Sequence, residues 1–467
     1  MATARLGLIV GNRDIFPDHL ITGGRADMLE VFRTLDIEPV IIGEGEGISG
    51  AVETYAHAKQ CARLFRQSDI DGVVVTLPNF GDERGIADAL KLSTLEVPVL
   101  VHAYPDDLGK LDIKNRRDAF CGKISVCSNL RQANIPFSLT TKHVVAPQDE
   151  SFVADLKRFV GVCRVVKGVR TARLGAVGAR PNAFNTVRYS EKLLESNGIS
   201  VSTIDLSEVL AGANALADDD GRVREKVDEI RAYANTDAVR AEAVTRMAKF
   251  GIVLGDWIEA NELNGTAIQC WTSIQENFGI NPCTVMSMMS EKLLPSACEV
   301  DVTGLLAMYA LQLASGTPSA LVDWNNNFGD AEDKCTLFHC GNWAKSFLAE
   351  ASIGTAPILG TVVDEARTCG ALDSPALPGR VTFARVTTDD EWGIIRAYVG
   401  EGRITDDPLD TFGCRAVMEV PGLQELLQHV CEGGFEHHVA ISRSQVAAIL
   451  DEAFTKYLGW ETYRHEG

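Results

Sequence analysis

Short apolar runs alternate with longer amphipathic stretches through the first third of this chain. The apolar runs predict strands near residues 6–10, 38–42, 72–76 and 97–102, and helical periodicity predicts helices at 24–34 and 50–66. Strands separated by helices form parallel sheets, because parallel neighbours need a long crossover connection. We therefore expect an α/β domain at residues 1–168.

Two further regions follow this domain. A second α/β pattern, with strands predicted at 172–178 and 200–204, gives a domain at 169–318. From about residue 319 the residue pattern changes to runs of β-branched and aromatic residues separated by acidic turns. This pattern is typical of an antiparallel sheet or barrel. The predicted fold is two Rossmann-like parallel-sheet domains followed by a β-barrel-like domain at 319–467, and 467 residues are enough for several cores.

Charge and composition exclude several classes of partner. The formal net charge of -20 repels phosphate backbones, so nucleic acid is not expected as a partner. No apolar run approaches the roughly 18 residues of a membrane span, and the first residues form a predicted strand rather than an export signal. The twelve cysteines are scattered through a long chain, which favours a reducing cytoplasmic location.

The glycine-rich turn at 175–180 follows a strand but lacks the three-glycine spacing of a dinucleotide loop. An NAD-dependent oxidoreductase is therefore disfavoured. A non-catalytic sugar-binding protein of the two-lobed type remains an alternative, because it would explain the α/β pattern of the first 318 residues.

In the first domain, polar and glycine-rich segments follow the predicted strands, at 11–13, 78–82 and 102–104. Open α/β sheets bind ligands at the carboxyl ends of their strands. These segments predict that the first domain contributes to a cleft for a small molecule.

Two acidic residues in the later part of the chain follow apolar runs. Glu299 comes between an apolar run and a predicted helix, where it could be a helix cap, although Asp301 suits that role better. Asp323 ends a second apolar run and opens an asparagine-rich loop, where it could equally form an Asx turn. The chemical alternative for both residues is a metal site.

Histidines occupy comparable positions. His339 ends a predicted strand, and the pair His437–His438 follows a Gly-Gly-Phe-Glu segment. Adjacent strand residues face opposite sides, so one of the pair can enter a site while the other packs or supports it. Carboxylates with an imidazole favour hard cations such as Mn²⁺ or Mg²⁺, whereas the simpler interpretation is buried structural histidines.

Together these residues resemble the L-fucose isomerase and L-arabinose isomerase superfamily, which includes isomerases of the sulfoquinovose type. Glu299 and Asp323 match its two metal acids, and His438 matches its late metal histidine. His339 lies where the arabinose branch has a further metal histidine and the fucose branch does not. The resemblance implies Mn²⁺, or Mg²⁺ or Co²⁺, and proton transfer by Glu299 and Asp323 through a cis-enediol intermediate.

The resemblance also implies substrate contacts and an assembly. Arg13 resembles a first-domain arginine that reaches a neighbouring subunit's pocket, in homo-oligomers (trimers or hexamers) with shared active sites. Gln269 resembles a substrate-contacting glutamine. We group these two with four further expected substrate-binding residues: Asn79, Asn325, His339 and His437.

The substrate expected from the resemblance is a pentose or hexose, either L-fucose-like or an anionic 6-substituted sugar such as sulfoquinovose. Five arginines lie on or near predicted loops, namely Arg13, Arg84, Arg116, Arg117 and Arg180. A planar guanidinium suits an anionic oxygen group, although surface or intersubunit ion pairs are the simpler explanation of such arginines.

Overall fold

The structure is a computed structural model that describes residues 3–467, and these fall into two compact units. Unit 1 comprises the described residues up to Lys167 together with Lys456–Gly459. Unit 2 comprises Gly168–Thr455 together with Trp460–Gly467. The division into three domains, with a boundary at 318, stays a prediction.

Unit 1 is built around a parallel five-stranded sheet. Its strands are β1 (Ala4–Val10), β2 (Ile37–Val40), β3 (Gly72–Leu77), β4 (Val99–Ala103) and β5 (Ser138–Leu139). Its helices are α1 (His19–Thr34), α2 (Tyr55–Arg66), α3 (Glu83–Ser93), α4 (Ala119–Gln132) and α5 (Glu150–Arg170), the last of which continues into unit 2. The strand order is β2-β1-β3-β4-β5, and the predicted parallel sheet is confirmed.

The central strand β3 explains why this sheet is covered on both faces. All six of its residues are buried. Val73 and Val75 belong to one hydrophobic cluster, whereas Val74 belongs to another. Successive strand side chains point to opposite faces, so the apolar run supplies both cores at once.

Unit 2 begins with a second parallel sheet, of order β7-β6-β8-β9. Its strands are β6 (Arg173–Val177), β7 (Ser200–Ile204), β8 (Gly265–Ile268) and β9 (Ser296–Cys298). Its helices are α6 (Glu191–Ser196), α7 (Leu206–Ala215), α8 (Gly221–Tyr233), α9 (Ala241–Ala260), α10 (Ser273–Phe278), α11 (Cys283–Glu291) and α12 (Val302–Ser315). The second predicted α/β region is confirmed.

The rest of unit 2 contains nine strands and three short helices. The strands are β10 (Ser319–Phe328), β11 (Ala331–His339), β12 (Ser352–Gly354), β13 (Ala371–Pro375), β14 (Gly379–Asp389), β15 (Ile394–Ile404), β16 (Cys414–Glu419), β17 (His438–Ser442) and β18 (Glu461–Arg464). The helices are α13 (Pro357–Gly360), α14 (Leu423–Glu432) and α15 (Ala447–Glu452). A π-helical turn follows at Ala453–Leu458, and its last three residues belong to unit 1. Six antiparallel strands, in the order β16-β11-β10-β17-β14-β15, close into a barrel because β15 also pairs with β16. The predicted β-barrel-like region is confirmed.

The asparagine-rich segment after Asp323 is not a loop, and that prediction was wrong. Strand β10 continues to Phe328 and pairs with β11, with register shifts after Trp324 and after Asn327. Residues 325–327 are exposed, so this end of the hairpin has no apolar pattern to mark it as a strand. Main-chain pairing holds it extended regardless.

Helix α12 joins the sheet and the barrel of unit 2 in one core. It packs against β6, β8 and β9 of the sheet and against β10, β14 and β17 of the barrel. Its residues are buried around nearly the whole circumference, as expected of a helix enclosed by other elements. No helix among residues 3–467 is long and apolar enough to cross a bilayer.

Candidate active site and metal centre

Glu299 lies at the carboxyl end of β9, in the turn that leads into α12. The backbone of Glu299 and Val300 is left-handed, with φ of +54° and +57°, which is unusual for a β-branched residue such as Val300. Asp301 closes the turn as the predicted helix cap, because its carboxylate accepts a hydrogen bond of 2.8 Å from Gly304 N. The turn is thus fixed on both sides of the Glu299 carboxylate.

Three neighbouring barrel strands bring the other predicted residues to the same place. Asp323 on β10 lies directly opposite His438, the first residue of β17. On the other side Asp323 pairs with Phe338 of β11, next to His339. Directly opposed residues in antiparallel strands have close side chains on the same face. Strand register therefore brings Asp323 and His438 together.

The side chains converge around the Nε2 atom of His438. This nitrogen lies 3.4 Å from Asp323 Oδ1 and 3.7 Å from Glu299 Oε2. His339 Nε2 is 3.7 Å from the same Glu299 oxygen, and His437 Nε2 is 3.7 Å from Asp323 Oδ1. Two overlapping groups result in which the possible ligand atoms all lie within 4.8 Å of one another, Glu299–His339–His438 and Asp323–His437–His438.

The other ring nitrogen of His438 determines what its Nε2 can do. Nδ1 lies 2.9 Å from Asp301 Oδ2, and a carboxylate accepts hydrogen bonds without donating them. The hydrogen of the neutral ring is therefore on Nδ1, which leaves a lone pair on Nε2. A carboxylate that orients a histidine in this way is the usual support for a metal ligand.

His339 has the opposite arrangement. Its Nδ1 accepts a hydrogen bond of 3.0 Å from the main-chain N–H of Cys340. The hydrogen of the neutral ring is therefore on Nε2, which faces Glu299. In this form His339 offers the site a hydrogen-bond donor, whereas His438 offers a lone pair.

One oxygen of Glu299 is held and the other is left without a partner. Oε1 accepts hydrogen bonds from Trp271 Nε1 at 2.9 Å and from the Cys270 thiol at 3.3 Å. Oε2 of Glu299 and Oδ1 of Asp323 are buried without any hydrogen-bond partner among the described residues. Buried polar atoms are nearly always partnered, so both oxygens are open to a ligand, an ion or an ordered water.

A buried ion network supports His438 from behind. Arg385 on β14 is fully buried and donates to Asp301 at 2.5 and 3.0 Å and to Glu436 at 2.9 Å. Glu436 also accepts a hydrogen bond from Thr387 Oγ1 at 2.8 Å. The Asp301 carboxylate is therefore fixed by Arg385 on one side while it orients His438 on the other.

The pKa shifts of His438 and Glu299 indicate that positive charge is favoured beside these two residues, whereas that of His437 does not. Burial lowers the pKa of His438, but the hydrogen bond to Asp301 and the nearby carboxylates raise it above its ordinary value. Burial raises the pKa of Glu299, but the His339 and His438 rings and the Trp271 N–H together lower it to about 2. The pKa of the more exposed His437 is lowered by burial and by its neighbour His438.

These residues fit a divalent cation. Glu299 Oε2 and Asp323 Oδ1 each lie within 3.7 Å of His438 Nε2, and in the neutral Nδ1–H form of His438 all three atoms are acceptors. Two carboxylate oxygens with one imidazole nitrogen are ligands suited to Mn²⁺, Mg²⁺ or Co²⁺. Further coordination positions are left for water or substrate.

Two predicted substrate residues of unit 2 form hydrogen bonds outside this cluster. Gln269 follows β8 and accepts a hydrogen bond from Ala179 N at 2.9 Å, in a cavity at the carboxyl edge of the second sheet. Asn325 is exposed further along β10, where it accepts a hydrogen bond from Asn326. Their contacts do not include the converging acids.

Arg13 and Asn79 lie together in unit 1. Arg13 forms an ion pair with Glu83 and lies over the Phe80 ring, 4.1 Å from its centroid. Asn79 is buried, donates to Asn12 at 2.7 Å and accepts from Gly81 N. Both residues belong to the polar carboxyl edge of the first sheet.

Of the other arginines singled out, Arg84 and Arg116 pair with Asp82 and Asp118. Arg117 and Arg180 instead donate to main-chain carbonyl oxygens.

Several residues of the site have no clear sequence motif. Phe184 packs against the rings of Trp271, His437 and His438, with centroids 5.5 to 5.7 Å apart. The sequence carries a signal for two other missed residues. Arg385 is a lone cation inside an apolar run, and Glu436 directly precedes the histidine pair.

Comparisons with known proteins agree with this geometry. The family described as fucose/sulfoquinovose isomerase, N-terminal domain, matches residues 7–170, and L-fucose isomerase, C-terminal domain, matches residues 337–465. The sulfoquinovose isomerase of Priestia aryabhattai is 26% identical over 390 residues, which cover 82% of this chain and 83% of that protein. The sulfoquinovose isomerase of Alkalicoccus urumqiensis is 25% identical over 386 residues, with 82% and 83% covered.

A third relative, the sulfoquinovose isomerase of a Clostridium species, is 26% identical over 302 residues, which cover 63% of this chain and 65% of that protein. With these matches, the alternatives of a non-catalytic sugar-binding protein and of an NAD-dependent oxidoreductase are set aside. The chain belongs to the L-fucose isomerase-like superfamily and is an aldose–ketose isomerase of the fucose/sulfoquinovose type.

Proposed function

We propose that this chain converts the aldose sulfoquinovose into its ketose, with a divalent cation held by Glu299, Asp323 and His438. The relatives named sulfoquinovose isomerase support the choice of sugar. L-fucose is the second candidate, supported by the family match over residues 337–465.

One observation carries the metal proposal. Glu299 Oε2 and Asp323 Oδ1 are buried without partners, and both face a nitrogen whose lone pair is exposed by the Asp301 hydrogen bond. Two carboxylates beside one lone pair repel each other in a low-dielectric site, and a divalent cation between them and the imidazole removes that repulsion. The ligand chemistry supports Mn²⁺, with Mg²⁺ or Co²⁺ as alternatives.

The reaction moves a proton between C1 and C2 of the sugar through a cis-enediol. A divalent cation at this position supplies Lewis-acid stabilisation of the negative charge that develops on the sugar oxygens. Glu299 and Asp323 are the groups that we propose transfer protons, as the resemblance implies, because they are the two carboxylates within 3.7 Å of His438 Nε2. Trp271 and Cys270 hold the second oxygen of Glu299 and so fix its direction.

The surrounding residues have proposed roles in binding. The Nε2–H of His339 is placed to donate to a sugar oxygen beside Glu299, and His437 flanks Asp323. Phe184 covers the histidine rings and limits the access of water. Gln269 and Asn325 remain proposed substrate contacts by the resemblance alone.

We further propose a homo-oligomer, a trimer or hexamer, in which Arg13 and Asn79 of one subunit serve a neighbour's site. Large apolar side chains exposed on unit 1 support an interface there, since Ile15, Leu108 and Ile113 are 77%, 88% and 84% exposed. Light scattering of the purified protein measures the subunit count.

We also propose a reducing cytoplasmic location, which the twelve free cysteines support.

The test uses purified protein stripped of metal with a chelator and then dialysed. Carbon NMR should detect no ketose from sulfoquinovose until Mn²⁺ is added, and calorimetry should detect Mn²⁺ binding to the stripped protein. Glu299→Gln and Asp323→Asn should each remove turnover and weaken Mn²⁺ binding. Asp330→Asn, in the exposed turn between β10 and β11, is the matched control and should leave both unchanged.

Full turnover in the stripped protein would refute the metal proposal. Turnover of L-fucose without any conversion of sulfoquinovose would refute the choice of sugar and leave the metal proposal standing.

A further inference from the structure

Residues 178–190, which we call the 178–190 loop, connect β6 to α6 and pass beside the active site. Ala179 N near the start of the loop donates to Gln269, and Ser190 N at its end donates to Thr388 Oγ1 on β14 at 2.9 Å. The loop is therefore tied to both the sheet and the barrel of unit 2.

Phe184 fixes the middle of the loop. Its ring centroid lies 5.7 Å from that of His438 and 5.5 Å from that of His437. Arg180 and Arg188 are each four residues from Phe184, so their Cα atoms lie within about 14 Å of it even for an extended chain. Both guanidinium groups are thus carried by a segment in contact with the metal-binding histidine.

The two arginines line one cavity of about 480 Å³. Its remaining wall is formed by Val187, Tyr189, Thr388 and Asp390. The Thr388 hydroxyl accepts a hydrogen bond from Ser190 N, so its hydrogen remains available to a ligand. The cavity lies within the volume range of small-ligand pockets and combines two cations with two hydroxyl groups.

Neither guanidinium is neutralised by its protein contacts in the described part of the chain. Arg180 donates to the carbonyl oxygens of Pro181 and Asn182, and Arg188 donates to that of Asn185. Arg13, by contrast, forms an ion pair with the carboxylate of Glu83, so its charge is compensated. Two uncompensated cations in a protein with a net charge of -20 are available to an anion from solution.

We propose that this cavity is the subsite for a tetrahedral anionic group at the end of the sugar remote from C1 and C2. The inference rests on the proposed function, because it takes the reacting carbons to lie at Glu299, Asp323 and His438. A planar guanidinium presents parallel N–H donors to two oxygens of such a group. Asp390 lines the same cavity, and its negative charge lowers the affinity for a free anion.

The source of the anion is either a sulfonate or a phosphate, and substrate pairs distinguish them. Initial rates are measured with sulfoquinovose, glucose 6-phosphate and the neutral sugars glucose and L-fucose for the wild type, Arg180→Gln and Arg188→Gln. Each substitution should lower kcat/KM for the preferred anionic sugar by about 10- to 100-fold and leave a neutral sugar within about threefold. Preference for the phosphate would support the subsite and identify phosphate as its ligand.

Direct binding and matched charge changes complete the experiment. Calorimetry of sulfoquinovose with Mn²⁺-loaded protein should show weaker binding in both arginine variants and slightly tighter binding in Asp390→Asn. Arg224→Gln, an equal charge change on exposed helix α8, should change neither rate nor affinity.

The proposal is overturned if Arg180→Gln and Arg188→Gln leave the ratio of anionic to neutral turnover unchanged, or if both lower neutral and anionic turnover equally. It is also overturned if the ratio collapses in Arg13→Gln instead. Absence of turnover of every sugar by the wild type would contradict the proposed function, whereas selective binding of the anionic sugar would still support the subsite.

Discussion

Two buried histidines at strand ends, one in each unit, look alike in sequence and differ in chemistry. His102 on β4 is fully buried; Thr76 Oγ1 lies 2.9 Å from its Nδ1 and the Val145 carbonyl 2.8 Å from its Nε2. His438 is equally buried, but only its Nδ1 has a hydrogen-bonding partner, and its Nε2 faces two carboxylates. The unpartnered nitrogen, rather than burial, distinguishes a histidine of a site from one of a core.

The electrostatic surroundings of His102 and His438 differ in the same way as their hydrogen bonds. Burial, aided by the charge of Lys123, lowers the pKa of His102 to about 3 despite the Val145 hydrogen bond, so that ring is neutral. Burial lowers the pKa of His438 as well, but three carboxylates raise it above its ordinary value. A neutral ring with two hydrogen-bond partners is structural. A ring surrounded by carboxylates that stabilise positive charge suits a cation site.

The same substitution at both histidines gives the largest expected contrast. His438→Gln should reduce kcat by at least about 1,000-fold, because a metal contributes several kcal/mol to the reaction barrier. His102→Gln should lower the free energy of unfolding by about 1–3 kcal/mol through lost buried hydrogen bonds and keep kcat. Steady-state rates and urea unfolding measure the two effects, and the reverse pattern would contradict the comparison.

The network behind His438 should dominate stability rather than chemistry. Arg385→Leu leaves the buried carboxylates of Asp301 and Glu436 without a counter-charge and should destabilise the protein by about 3–5 kcal/mol. Arg415→Leu breaks a partly exposed pair with Asp373 and two hydrogen bonds to carbonyl oxygens, and as the control it should cost less than Arg385→Leu. Equal losses in urea unfolding would mean that the buried network has no special role.

A smaller effect should follow from Asp301, which links the network to the site. Asp301→Asn lets an amide N–H face His438 Nδ1, so the ring can shift its hydrogen to Nε2 and lose the lone pair there. Mn²⁺ affinity should fall by about 10- to 100-fold in calorimetry. Thr303→Val removes another hydrogen-bond partner of Arg385 and should keep Mn²⁺ affinity, since it does not contact His438. Unchanged affinity in Asp301→Asn would remove the argument for His438 as a ligand.

Much of the fold was predictable because its strands are apolar runs. The parallel strand β3 and the barrel strand β14 are long buried runs that stand out in sequence. The exposed end of β10 was missed, because residues 325–327 contact no core on either face and the apolar pattern stops at Asp323. Main-chain hydrogen bonds hold these residues in the strand, and such bonds do not require any particular side chains that a sequence pattern could reveal.

The site was predictable only in part, for a related reason. Glu299, Asp323 and His438 follow or begin apolar strands, and that position is visible in the sequence. The partner that sets the His438 tautomer depends on how α12 meets β17, and the position of Phe184 depends on the path of an irregular loop. Both contacts, of Asp301 with His438 and of Phe184 with the histidine rings, arise from tertiary packing. The spacing of residues along the sequence does not predict them.

The smallest expected effect concerns pH and tests the structural side of the comparison. The folded pKa of His102 is about 3, below the value of about 6.5 in an unfolded chain, so its contribution to stability is present above pH 6.5 and is lost as pH falls toward 3. Between pH 8 and pH 5 this amounts to about 1–2 kcal/mol. Urea unfolding of metal-free His102→Gln should therefore show a shallower loss of stability with acid than the wild type. His19→Gln, at an exposed histidine of the same unit, is the control and should keep the wild-type dependence of unfolding free energy on pH. The same dependence in His102→Gln would mean that the pKa of His102 does not differ between the folded and unfolded states.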